Sequence, residues 1–135
     1  MCSSDLAIAA LNDGRKWLAE FLEHLHAQRD YVVDRLAAWP GVSVSSPQGT
    51  YVIFPDVRSL GDDAEHLCRQ LREQACVALV PGAPRWFGPG SDGHLRICFA
   101  TSRRILQEAF DRLEPVVAQI AGDRQPQKAA HSAGR

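Results

Sequence analysis

The chain has 135 residues, 45% of them hydrophobic and 23% charged, with a net charge of −1, which suits one ordinary globular domain with a core of its own. That balance leaves no basic stripe for a nucleic-acid backbone. No apolar run approaches the roughly 18 residues that span a bilayer, and no basic-then-apolar leader opens the chain; neither nucleic acid nor membrane is expected as a partner, and the expected location is cytoplasmic.

In chain order, Ala7 to Leu11 reads as the last turns of a helix. Before it, Cys2-Ser3-Ser4-Asp5-Leu6 resembles the in-frame translation of a common sequencing-adapter end. Residues 1–12 are therefore expected to be a remnant of a preceding large domain joined to an assembly artefact. A long amphipathic helix follows from Asp13 to Ala38, with Leu18, Phe21, Leu22, Leu25, Val32 and Leu36 at helical spacing. Asn12 and Asp13 supply capping chemistry, and Pro40-Gly41 stops the helix.

Two short strands, Val42 to Ser45 and Tyr51 to Phe54, flank Ser46-Pro47-Gln48-Gly49 and predict a hairpin. Asp62 and Glu65 have the capping-box spacing for a second helix that carries Leu67, Cys68 and Leu71 and ends near Ala75. Val77 to Val80 reads as a buried strand. A glycine- and proline-rich loop, Pro81 to Gly93, leads into the strand His94 to Phe99. Alternation there places Leu95, Ile97 and Phe99 on one face and His94, Arg96 and Cys98 on the other. Thr101 or Ser102 caps a third helix with Ile105, Leu106, Ala109 and Leu113 on its buried stripe; Pro115 should kink or reset it. The polar stretch from Gly122 to Arg135 predicts a disordered tail.

This order of elements gives an α/β fold: a two-layer sandwich in which a small mixed sheet of about four strands carries the long N-terminal helix and two further helices, over residues 13–121. Cys2, Cys68, Cys76 and Cys98 form no C-x-x-C pair and are expected to be reduced, with Cys68 and Cys98 packing as small hydrophobes. His24 and His26, two apart on a helix, point away from each other and make no shared metal site. No metal-binding residue is predicted.

Two features invite a functional reading. The Pro81 to Gly93 loop lacks the Gly-Lys-Ser/Thr ending of a phosphate loop and precedes a strand, not a helix, but Arg85, Trp86 and Phe87 at its centre suggest docking against another surface. Arg96 is either a solvated strand residue or a guanidinium that grips a carboxylate through two parallel hydrogen bonds. The residue pattern alone leaves both open.

A resemblance bears on that choice. Residues 49–56 (Gly-Thr-Tyr-Val-Ile-Phe-Pro-Asp), 77–82 (Val-Ala-Leu-Val-Pro-Gly), 87–90 (Phe-Gly-Pro-Gly) and 93–102 (Gly-His-Leu-Arg-Ile-Cys-Phe-Ala-Thr-Ser) together resemble the C-terminal small domain of fold-type-I, class I/II pyridoxal-phosphate-dependent aminotransferases, over about residues 7–120. The resemblance implies that Arg96 binds the α-carboxylate of the amino-acid substrate and that the intact enzyme is a homodimer exchanging an amino group between an amino acid and a 2-oxo acid. The Pro81-Gly82 loop would lie near the mouth of the site, and Arg85-Trp86 expands it.

The family's Schiff-base lysine and its cofactor-binding residues have no counterparts here: Lys16 and Lys128 are the only lysines, in unrelated contexts. No catalytic or cofactor-binding residue is carried over, and the chain alone is expected to be inactive. A carbon–sulfur β-lyase of the same superfamily is the nearest alternative. A self-standing α/β module binding a small ligand or a protein is an alternative of another class. On the fragment reading, apolar surface near Trp17, Ala7 to Leu11 and Trp86 should be exposed.

Overall fold

A computed structural model describes residues 3–61 and 63–132. Met1, Cys2, Asp62 and residues 133–135 lie outside that range, so the expectations placed on Cys2 and on an Asp62 cap fall outside the described residues.

The chain opens with α1 (Ser3–Asp13) and α2 (Arg15–Ala37). They meet at Gly14, whose N–H still donates to Ala10 O and whose carbonyl accepts from Leu18 N, so the two helices form a nearly continuous rod. Only the C-terminal half of α2 enters the core, through Leu25, Gln28, Val32 and Leu36. Leu18 and Leu22, expected on the same stripe, remain exposed, as do Leu6, Ile8, Leu11 and Trp17. The expected apolar surface on this stretch is present.

Among the described residues the sheet has three strands, β1 (Val52–Ile53), β2 (Val80–Pro81) and β3 (Leu95–Cys98), in the order β1-β3-β2. Both pairings are antiparallel, so the expected mixed, four-stranded sheet is corrected. The expected hairpin is corrected too: β1 pairs with β3, and Val42 to Ser45 contributes only a single bridge between Ser43 and Asp56. Thr50, just before β1, adopts a left-handed φ of 64°.

Backbone hydrogen bonds extend the β1–β3 ladder past the assigned strands, from Phe99 N to Tyr51 O at one end to Val57 N to Gly93 O at the other. Ile53, Leu95, Ile97 and Phe99 form the closed face and are buried with Leu67 and Leu71 of α3 (Ala64–Ala75) and with Leu106, Phe110, Leu113 and Val117 of α5 (Arg103–Ser132). Sheet and helices thus form two layers around one core.

The cap of α3 is Asp63, whose Oδ1 accepts from Glu65 N at 2.8 Å and His66 N at 3.2 Å. At the other end Cys76 takes the left-handed conformation, φ 56°. Ser102 faces the start of α5, where its hydroxyl accepts from Ile105 N at 3.4 Å. Ile105 itself is half-exposed, and Phe110, absent from the expected stripe, is buried in its place. Pro115 does not end α5, and the helix continues to Ser132, where the composition suggests a disordered tail. Cys68 is buried as expected, but Cys98 is exposed, because its odd-even position on β3 puts it on the open face.

A cluster of guanidinium contacts ties α2 to α5. Arg35 donates to Glu114 at 2.5 Å and to Asp111 at 2.8 Å while lying over the rings of Tyr31 and Phe110. Arg103 lies over Tyr31 and donates to the carbonyl of Ala27 at 2.6 Å. His24 Nε2 meets the carbonyl of Thr101 at 3.0 Å. That histidine serves the helix–loop junction.

Candidate functional site

In an antiparallel pair, directly opposed residues project from the same face. Val52 stands opposite Cys98, Asp56 opposite His94, and Val80 opposite Arg96. The same register sets Phe54 opposite Arg96. The open face of the sheet therefore carries Val52, Phe54, Asp56, Val80, His94, Arg96 and Cys98.

Arg96 is half-buried. The other half-buried arginines all have partners. Arg29 donates to Asp30, Arg35 to Glu114 and Asp111, Arg103 to Ala27, and Arg124 is also engaged. Arg96 is the one half-buried arginine whose guanidinium has no hydrogen bond, ion pair or ring contact among the described residues. Desolvating such a group without a partner is unfavourable, and the expected remedy is an incoming anion. Beside it, between the segment leading into β2 and α5, lies a mostly apolar cavity of about 250 Å³ whose lining includes Arg96, Thr101, Leu79 and Phe110.

The rest of the open face is ordered by neighbouring loops. Phe54 stacks on His94, with ring centroids 5.2 Å apart and planes at 12°, and meets Phe87 edge-on at 5.5 Å. Asp56 accepts from the backbone N–H of Arg58 at 3.0 Å and from its Nε and Nη2. These bonds from Arg58 hold the Asp56 carboxyl at about 2, below the ordinary value of 3.8 and against its partial burial. The stem of Arg58 lies over Gly93, where a Cβ would sit 2.3 Å from Arg58 Cγ.

The expected long loop contains one turn of helix, α4 (Pro84–Phe87), with Pro84 in its first turn. Arg85 donates to Glu65 at 2.7 Å and lies 4.5 Å over the Trp86 ring. The aromatic pair divides: Trp86 stays largely exposed, and Phe87 turns onto Phe54. Gly82 donates its N–H to His94 O at 2.7 Å, and a Cβ on it would meet Ser91 O at 2.2 Å. Steric closeness accounts for the glycine of Pro81-Gly82. Phe54 and His94 escaped the sequence reading as a pair, since only the β1–β3 register brings them together.

Only one of the two lysines has a described side chain. Lys16 lies on the exposed side of α2, 4.0 Å from Glu20, and Lys128 falls in a stretch of α5 whose side chains are not described. No group of three or more metal-ligating side chains occurs among the described residues.

Comparison with known proteins gives this face a family context. The model of the class I and II aminotransferase family matches residues 2–113. The chain belongs to that family. An aspartate aminotransferase of Pyrococcus horikoshii is 36% identical over 109 residues, covering 79% of this chain and 27% of that protein. The solved alanine aminotransferase of Pyrococcus furiosus superposes with a TM-score of 0.76 at 34% identity, over 84% of this chain and 28% of that one. The carbon–sulfur lyase of Staphylococcus hominis, solved with pyridoxal phosphate in its external aldimine form, shares the fold at 20% identity, with a TM-score of 0.73 over 82% of this chain and 29% of that one. Aminotransferases of this family are pyridoxal-phosphate-dependent. The chain spans little more than a quarter of the length of the relatives it matches.

Proposed function

We propose that this chain is the small-domain part of a pyridoxal-phosphate-dependent aminotransferase and that Arg96 binds the α-carboxylate shared by its amino-acid and 2-oxo-acid substrates. The observation that supports this reading is the half-buried, unpartnered guanidinium on the open face of the sheet. A planar guanidinium matches a carboxylate through two charge-assisted hydrogen bonds, and each such bond to a charged group contributes about 1.5–3 kcal/mol. Lysine offers no equivalent fork.

The residues present do not fit the cofactor itself. The described face carries no lysine to link it covalently, and the only described lysine side chain points into solvent beside Glu20. Pyridoxal phosphate would therefore be held by the part of the relatives' length that this chain does not span, with a homodimer as the intact form. This chain's own contribution is to bind and orient the carboxylate, and by itself it should catalyse no transamination.

The test is Arg96→Ala in the complete enzyme that carries this chain. Apparent amino-acid affinity should fall at least tenfold, the loss of about 1.4 kcal/mol or more, with the cofactor absorbance unchanged. Unaltered substrate affinity would refute the assignment. The carbon–sulfur β-lyase reading has the fold shared with the Staphylococcus hominis lyase in its favour. Release of pyruvate and ammonia from a cysteine conjugate without added 2-oxo acid would decide for it.

A further inference from the structure

Phe54 and Arg96 are cross-strand neighbours on one face, since Val52 opposes Cys98 and Asp56 opposes His94 on either side of them. Directly opposed side chains of an antiparallel pair have Cβ atoms about 4.5–5.5 Å apart. Around Phe54 gather His94 of the neighbouring strand and Phe87 of α4, one ring stacked and the other edge-on. Phe54 and Phe87 keep 37% and 44% of their surface exposed, so the cluster presents ring surface to whatever occupies the space beside the guanidinium. The turn that carries Phe87 is fastened to α3 by the Arg85–Glu65 ion pair.

The charges on this face oppose a second acidic group. Arg58 is engaged by both oxygens of Asp56, which leaves Arg96 as the one unengaged guanidinium there among the described residues. Asp56 is itself an anion next to His94. A dicarboxylic substrate would find one cation for two negative charges, beside a fixed carboxylate.

We propose that Phe54, Phe87 and His94 form the wall against which the substrate's side chain lies, and that the preferred amino acid carries an aromatic or large apolar side chain. This inference rests on Arg96 holding the α-carboxylate. The carboxylate fixes one end of the substrate, and the ring cluster next to it receives the other by offset stacking and edge contacts.

The test uses the 135-residue chain, isotope-labelled and followed by NMR, with three probes: 3-phenylpropionate, propionate and glutarate. The phenyl acid should bind about tenfold more tightly than propionate, a difference of about 1.4 kcal/mol, and should shift Phe54, Phe87 and His94 together with Arg96. Glutarate should bind no better than propionate. Phe54→Leu should remove the preference while propionate still shifts Arg96, and Arg96→Gln should weaken all three probes. Equal binding of the phenyl acid and propionate at Arg96, or phenyl-dependent shifts confined to the cavity around Leu79 and Phe110, would overturn the side-chain wall and leave the carboxylate role standing. No response at Arg96 from any probe would overturn the carboxylate role and the wall with it.

Discussion

The two faces of one short sheet are built from alternate residues of the same strands, yet they are organised by different forces. On the closed face Leu95, Ile97 and Phe99 are buried against α3 and α5, and burial of apolar surface holds them at roughly 25 cal/mol per Å². On the open face Arg96 and Cys98 keep access to solvent, and order comes from ring stacking and the Asp56–Arg58 pair. The closed face stores stability and the open face stores chemistry, so substitutions on the two should separate cleanly.

The largest expected effect is on the closed side. Phe110→Ala should destabilise the chain by about 3–5 kcal/mol in urea unfolding, whereas Arg96→Ala on the open face should change stability by less than about 0.5 kcal/mol. Comparable losses from both would mean that the faces are not energetically distinct. Next comes the edge where the two faces meet. Gly82→Ala forces a methyl group toward Ser91 O and should cost about 1–3 kcal/mol through overpacking; an unchanged unfolding midpoint would show that the turn yields freely.

A smaller effect of opposite sign is expected away from both faces. Cys76 holds a left-handed conformation at the end of α3, so Cys76→Gly should relieve steric strain and raise stability by about 1 kcal/mol. The smallest effect concerns the open face alone. The Asp56 carboxyl is held at about 2, below 3.8. A depressed folded-state value means that its contribution is present in full above 3.8 and disappears as pH falls toward 2. Asp56→Asn should therefore lower stability modestly at neutral pH, where the contribution of this partly exposed pair is present in full, and flatten the acid limb, so that variant and parent converge as pH falls toward 2. An unchanged acid limb would show that the pair with Arg58 contributes nothing to folding.

The sequence by itself determined the core-facing positions of α2 and α3 and the face assignment of the key strand. Apolar spacing at Leu25, Val32 and Leu36 and at Leu67 and Leu71 is a local property, and strict alternation in residues 94–99 put Arg96 opposite Leu95 and Ile97 before any partner strand was known. Only the tertiary structure decided what those faces meet. Tyr51 to Phe54 was expected to pair locally with Val42 to Ser45, but it lies against β3, more than forty residues away, because both strands have an apolar face to bury and a hairpin alone would bury little. Leu18 and Leu22 continue the helical stripe in sequence, yet they remain exposed, since periodicity marks an apolar side and not what covers it. The Phe54–His94–Phe87 cluster was illegible for the same reason: register and the turn of α4 are set by long-range packing, and no spacing within a single segment encodes them.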